Sequence, residues 1–133
     1  MNTGTDCTNY VAYVESSLYG VVPPIGRSRL AYDRAVIRNV VLVELRPDAD
    51  PDEIAAIQEE FRALDCPGTI AYTLGDDLGL REGNWSFAIV ADFRDADAYR
   101  AYDADRSHNA ARARLAPHIE RVARVQFETT PTS

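Results

Sequence analysis

Apolar and polar residues alternate between strand-like and helix-like periods along most of this chain. Residues 36–47, VIRNVVLVELRP, are rich in β-branched residues and end at a proline, which is typical of a strand buried on both faces. A helix is predicted over residues 50–68, with Asp50 as its N-cap and Pro51 as its first residue. Its apolar side chains recur at steps of three and four and would form one buried stripe. They are Ile54, Ile57, Phe61 and Leu64.

Three later segments have the alternation of strands. They span residues 69–77, 84–93 and 118–128. In the second of them, the period of two would place Trp85 and Phe87 on the face that carries the other apolar side chains. A long loop is expected between the first two of these strands, because its sequence, GDDLGLREGN, is rich in glycine and acidic residues.

A helical region lies between the last two strands and has a break within it. Asp95 is the predicted N-cap of its first helix. Residues 105–107 predict the break, after which Ser107 would cap a short helix that ends near Ala116. The element order is then β-α-β-β-α-β, which predicts an α+β fold of the ferredoxin-like type. We expect residues 36–133 to form this domain. Residues 1–35 are too apolar for a solvated tail and would be an N-terminal arm that packs on the core or on a partner subunit.

Composition removes several classes of function. The formal net charge is -7, so we expect neither nucleic acid nor a membrane surface as a partner. All 14 basic residues are arginine, and without a lysine the chain cannot form a Schiff base or supply a P-loop lysine.

The two cysteines and two histidines have no zinc-like spacing, so no metal site is predicted. With no visible signal peptide, we expect a cytoplasmic protein in which Cys7 and Cys66 are free thiols.

Three stretches together resemble the stress-responsive α/β-barrel (Dabb) family. They are IRNVVLVELRPDADPDEI, GDDLGLREGNWSFAIVADF and AYRAYDADRSHNAARARL. The resemblance covers about residues 36–128 and implies a ferredoxin-like domain whose sheets pair in a homodimer to form an α/β barrel. The best understood activity in this family is cofactor-free ring closure of linear polyketides. In that branch, a tyrosine and a histidine six residues apart act together on the substrate, and Tyr102 and His108 have this spacing here.

The chain also departs from the pattern of these cyclases. Asn39 stands where many members have a histidine in the first strand, and Phe87 lies near a position that is polar in the cyclases. Asp105 and Arg106 replace a common histidine-proline pair. The resemblance therefore implies a site that is less basic and more apolar than that of these cyclases.

Tyr102 and His108 could act together only if the helix between them is broken. Six residues of one helix turn through about 600 degrees, which would point the two side chains apart. A break at residues 105–107 would place His108 in the first turn of a new helix, where the helix dipole disfavours the imidazolium. A neutral His108 could then accept a proton while Tyr102 donates a hydrogen bond to an oxygen that gains negative charge. The alternative is a histidine that only packs or caps at a helix start.

Four further residues are predicted to contact a ligand, each with a structural alternative. Asn39 would hydrogen-bond to it or would be a polar residue at a strand start. The other three would be walls of a pocket for an apolar or aromatic small molecule, or core residues. These are Tyr72, Trp85 and Phe87.

We therefore expect a homodimeric, cofactor-free enzyme of cyclase or lyase type that acts on a small apolar or polyketide-like metabolite. His108 would be the general base and Tyr102 the hydrogen-bond donor. One alternative is a small-molecule-binding or stress-response protein without catalysis. The other is a cofactor-free monooxygenase on the same fold.

Overall fold

A computed structural model describes residues 35–130. Its elements follow the predicted order, and the second helical region is broken in two. They are β1 (Val36–Leu45), α1 (Pro51–Arg62), β2 (Thr69–Asp76), β3 (Phe87–Phe93), α2 (Ala96–Ala104), α3 (Arg106–Leu115), a 3-10 turn (Ala116–His118) and β4 (Ile119–Thr129). Residues 1–34 of the N-terminal arm and residues 131–133 lie outside this range. The packing of the arm stays a prediction.

The four strands form one antiparallel sheet in the order β2-β3-β1-β4. This is the strand order of the predicted ferredoxin-like plait. The helices cover one face of the sheet. Because side chains alternate along a strand, the register fixes which residues share that helix-facing side. Asn39 and Val43 of β1 lie there, as do Ala91 and Phe87 of β3 opposite them.

The core beneath the helices consists of two clusters. The larger one lies at the end of the sheet where Val43 pairs with Phe87, and it includes Phe61 of α1. The smaller one contains Ala91, Phe93 and Tyr102. Leu64 and Tyr72 pack against both clusters and join them.

The predicted stripe of α1 is confirmed in its main residues. Ile54, Ile57 and Phe61 are buried. The helix itself is shorter than predicted, since it ends at Arg62 rather than at Pro67-Gly68. Asp50 is the N-cap as expected, and its side chain accepts a hydrogen bond from the backbone N–H of Asp52.

Strand β3 begins later than predicted, at Phe87, so Trp85 lies in the preceding loop. This loop is held by Asp77, whose backbone N–H donates to the carbonyl of Ser86 at 2.9 Å and whose carboxylate accepts from Gly79 and Asn84. Ser86 in turn accepts from the backbone of Leu45 through its hydroxyl at 2.9 Å. Ser86 also donates its N–H to the carbonyl of Val43 in β1 at 2.8 Å, so it stays in contact with the sheet although Trp85 lies in the loop.

Cys66 follows α1, is buried, and is disulfide-bonded. The expectation of two free thiols is therefore wrong. It rested on the absence of a visible signal peptide, which carries no information on which side chains are close enough to bond. Cys7, the other cysteine of the chain, lies outside the described residues. No helix within residues 35–130 is long and apolar enough to cross a membrane.

Gly68 is required by the turn that leads into β2. Its φ is +91°, and a Cβ built on it would lie 2.6 Å from the Cβ of Ala98 in α2. We predict that Gly68→Ala destabilises the fold by about 1–3 kcal/mol, through strain and overpacking together. Urea unfolding would measure the change. The matched control is Gly75→Ala, where nothing lies within 4 Å and φ is ordinary. Equal midpoints for the two variants would contradict the prediction.

Candidate functional site

Tyr102 lies on α2 at the centre of an aromatic group between this helix and the sheet. Asp95 caps α2 as predicted, accepting a hydrogen bond from the backbone of Ala98 at 2.9 Å. Tyr102 is 3% exposed, and its ring centroid lies 4.9 Å from that of Phe93 on β3. It also contacts Tyr72 edge-on at 5.9 Å. Beneath it, the small side chain of Ala91 leaves room for the ring.

The predicted break between Tyr102 and His108 is present, but Asp105 makes it instead of Ser107. Asp105 has an extended backbone and is both the C-cap of α2 and the N-cap of α3. Its N–H donates to the carbonyl of Tyr102 at 3.1 Å, and its carboxylate accepts from the N–H of His108 at 3.0 Å. The N-cap of α3 is therefore two residues earlier than the predicted Ser107, and His108 lies in the first turn of α3.

The break brings the two rings together. The centroids of Tyr102 and His108 are 4.1 Å apart, with 31° between the ring planes. Phe61 of α1 contacts the imidazole edge-on at 5.9 Å. His108 is 5% exposed, and its Nδ1 has no hydrogen-bond partner. Within residues 35–130, Nδ1 of His108 is the only buried side-chain nitrogen or oxygen atom that lacks a hydrogen-bond partner.

The imidazole is neutral at physiological pH, as the sequence predicts. Burial is the main cause, and the nearby Arg112 guanidinium adds to it, so the pKa of His108 falls from 6.5 to about 4. The carboxylates of Asp103 and Asp105 and the Asp103 backbone act in the opposite direction but are weaker. Burial therefore lowers the pKa in the same direction as the helix terminus was expected to. The neutral ring can accept a proton at Nδ1 or donate one, depending on its tautomer.

Tyr72 of β2 joins the site through its hydroxyl, which lies 2.8 Å from that of Tyr102. Burial raises the pKa of both phenols, and most strongly that of Tyr102. Both are therefore protonated at neutral pH and offer O–H groups.

A row of residues across the helix-facing side of the sheet forms the floor of the site. Tyr72 pairs with Ala91, Ala91 with Asn39, and Asn39 with Gln126 of β4. Asn39 is 3% exposed, and its carbonyl oxygen accepts from the side chain of Gln126 at 2.7 Å. With strands about 4.8 Å apart, Asn39 lies about 10 Å from Tyr72 across Ala91. Sequence analysis missed Gln126, because the register between β1 and β4 was not known.

Two of the predicted ligand contacts lie away from this group. Phe87 is buried in the larger core cluster, four positions along β3 from Ala91 and hence about 13 Å away. Trp85 lies in the loop, with the guanidinium of Arg121 4.7 Å from its ring. The structure therefore brings together Tyr102, His108 and Tyr72, with Asn39 in the same row, but not Trp85 or Phe87.

A groove opens at the surface between the end of α1 and the start of α3. Asp105 and Ser107 line it on one side, and Leu64 and Asp65 on the other. It places open space beside the turn that holds His108. No group of three or more histidine, cysteine or acidic side chains in the described part of the chain could hold a metal ion.

Solved structures with this fold include several dimers. A dimeric ferredoxin-like protein of unknown function from Thermobifida fusca is 33% identical, with a TM-score of 0.66 over 71% of this chain and 92% of its own. A Dabb family protein from Mesorhizobium loti is 19% identical, with a TM-score of 0.56 over 74% and 99%. Hydroxynitrile lyase from Passiflora edulis is 15% identical, with a TM-score of 0.64 over 74% and 96%, a likeness of fold.

No curated protein matches the chain. The model of one family, the stress-responsive A/B barrel domain, matches residues 37–129, which include every strand and helix described above except Val36 at the start of β1. The chain therefore belongs to the stress-responsive A/B barrel (Dabb) family.

Proposed function

We propose that this protein is a cofactor-free acid–base enzyme of cyclase or lyase type that acts on a small apolar or polyketide-like molecule. His108 is the general base, and the hydroxyl pair of Tyr102 and Tyr72 donates a hydrogen bond to an oxygen that gains negative charge. The observation that carries the proposal is the unpartnered Nδ1 of a buried, neutral histidine beside that hydroxyl pair. A buried polar atom without a partner costs free energy, and a ligand that donates to it would recover that cost.

The low pKa of His108 narrows the substrate class. A base with a pKa of about 4 is weak, so it removes protons only from acidic positions. A carbon between two carbonyl groups has such a proton, as does a phenol or a cyanohydrin hydroxyl. The hydroxynitrile lyase from Passiflora edulis, whose fold is similar, is a lyase by name. Aromatic neighbours of the pair favour an apolar or aromatic body for the substrate. They are Phe61 and Phe93.

The second candidate is a binding protein without catalysis. Its support is burial, because Tyr102 and His108 are only 3% and 5% exposed. A substrate must displace neighbouring side chains to reach Nδ1, for instance from the groove beside Asp105. A ligand that binds in the groove alone would not touch the reactive atoms.

The test is to incubate the protein, without added cofactor, with linear β-diketones, polyketide-like phenols and an aromatic cyanohydrin. Mass spectrometry follows products and an oxygen electrode follows oxygen. Conversion without oxygen uptake supports the proposal. Conversion that consumes oxygen would instead identify a monooxygenase, and saturable binding with every compound recovered unchanged would identify a binding protein.

We also propose that the chain forms a homodimer through the face of the sheet opposite the helices. Large apolar side chains on this outer face are exposed in the single chain, with Leu42 at 44%, Val125 at 54% and Phe127 at 45%. An exposed apolar patch of this kind usually marks a surface that another protein covers. A cross-strand ion pair between Arg38 and Asp92, at 2.7 Å, lies on the same face.

Charges placed on this face are predicted to separate the dimer. In the variant Val125→Asp, whose cross-strand neighbour is Val40, each chain would bury one carboxylate at the interface. Light scattering after size exclusion should give twice the chain mass for the wild type and a single chain mass for the variant. Val122→Asp, on the same strand but on the helix-facing side, is the control and should stay dimeric. A monomeric wild type would overturn the proposed dimer.

A further inference from the structure

The hydrogen bond between Tyr72 and Tyr102 has a direction that decides which phenol can act on a ligand. Each hydroxyl has one proton to donate, and the two oxygens are 2.8 Å apart. If Tyr72 donates to Tyr102, the free proton belongs to Tyr102. If Tyr102 donates, the free proton belongs to Tyr72.

Burial selects the second direction. Tyr102 is 3% exposed, and within residues 35–130 its hydroxyl has no hydrogen-bond partner other than Tyr72. A proton left on Tyr102 would therefore be buried without an acceptor, at a cost of about 1–3 kcal/mol. Tyr72 is only partly buried, so its proton can meet water or a ligand. Tyr102 is accordingly the donor within the pair.

The acidities of the two phenols agree with this direction. The hydrogen bond from Tyr102 lowers the pKa of Tyr72, partly offsetting the effect of burial, whereas Tyr72 further raises the pKa of Tyr102. Tyr72 is thus the phenol that ionises first. A hydroxyl that accepts one hydrogen bond is also a stronger donor in the next one.

The stacking of Tyr102 on His108 leads to the same assignment. Rings whose centroids are 4.1 Å apart at 31° face each other, while hydroxyl and imidazole nitrogens donate and accept in the planes of their rings. Tyr102 therefore does not exchange a proton directly with His108. It fills the space on one side of the imidazole and fixes the position of that ring.

We propose that Tyr72 contacts the ligand and donates its O–H to a carbonyl or anionic oxygen, and that Tyr102 is a positioning residue that donates to Tyr72 and orients His108. This assignment rests on the proposed function, and it gives the role of hydrogen-bond donor to the tyrosine of β2 rather than to the one at the family spacing. The ligand class is a small molecule whose oxygen gains negative charge beside an acidic C–H or O–H.

The first test uses 4-nitrophenolate as an oxyanion probe whose absorbance reports binding and ionisation. Tyr72→Phe should weaken its binding at least about 10-fold, the loss of one hydrogen bond to a charged group. Tyr102→Phe should weaken it by a smaller factor, since Tyr72 keeps its proton. Tyr99→Phe is the control, because its ring packs on Phe93 and Tyr102 but it is not a member of the hydroxyl pair. A larger loss in Tyr102→Phe than in Tyr72→Phe, or no binding by the wild type, would overturn the assignment.

The second test needs no ligand. In protein labelled with ¹³C at tyrosine Cζ, Tyr72 should titrate at lower pH than Tyr102, and Tyr102→Phe should raise the pKa of Tyr72. A purely structural Tyr102 would leave that pKa unchanged, and Tyr102 titrating first would reverse the direction of the bond. Absence of turnover refutes the proposed function but leaves this titration intact, so the two failures are distinguishable.

Discussion

Replacing His108 with glutamine is expected to lower the turnover of any converted compound by about 10²–10⁴-fold, the usual contribution of a general base. Glutamine keeps a hydrogen-bonding side chain near the volume of imidazole but cannot take up a proton at neutral pH. The wild-type rate should be constant around neutral pH and fall only as the pH approaches about 4, where His108 becomes protonated. Initial rates as a function of substrate concentration and pH would measure both effects.

The control for this variant is the other histidine. His118→Gln changes a side chain whose Nε2 lies 3.7 Å from a carboxylate oxygen of Glu53, at the junction of the 3-10 turn and β4. Its turnover should match that of the wild type. If His108→Gln retained the wild-type rate while folding normally, His108 would not be the base, and the stack on Tyr102 would be packing alone.

The second large effect concerns stability against acid. An unfolded histidine binds its proton near pH 6.5, whereas folded His108 does so near pH 4. Between these values the unfolded state binds more protons, so the free energy of unfolding decreases as the pH falls. The full contribution, about 3 kcal/mol, is present above pH 6.5 and is lost by the time the pH reaches about 4.

Urea unfolding at closely spaced pH values would test this expectation. The charged neighbours Arg112, Asp103 and Asp105 remain in every variant, and Phe61 of α1, which contacts the ring, is neutral, so the difference between wild type and His108→Gln reports on the imidazole. The wild type should lose more stability than the variant between pH 6.5 and 4. Parallel curves for the wild type and His108→Gln would contradict a depressed pKa.

Local patterns explain why most of the fold could be predicted from the sequence. The N-caps Asp50 and Asp95, the apolar steps of α1 and the alternation in the strands act over a few residues, so their order predicts the plait. The exact ends of elements depend on contacts outside the segment. The strand expected to include Trp85 begins at Phe87, although Ser86 still donates its N–H to the carbonyl of Val43 in β1.

The candidate site was predictable only where it is local in sequence. Tyr102 and His108 are brought together by one turn, so spacing and a predicted break were sufficient to pair them. Tyr72 was expected near a ligand, but its hydroxyl contact with Tyr102 depends on how α2 sits over β2. Gln126 reaches Asn39 only through the register of β4 on β1. Alternation places Phe87 and Ala91 on the same face of β3, but the local sequence does not indicate which end of the strand lies under the aromatic group.

Asp105 has a consequence for how this site can vary. It lies three residues from Tyr102 and three from His108 and hydrogen-bonds to the backbone of both. The geometry of these two rings is therefore set within seven consecutive residues, 102–108. The floor of the site, in contrast, comes from separate strands. Substitution of strand residues such as Asn39 can therefore change the floor of the site while Asp105 keeps the rings of Tyr102 and His108 in contact. The turn that sets the stack of Tyr102 on His108 and the strand residues of the floor are encoded in different parts of the chain and can vary separately.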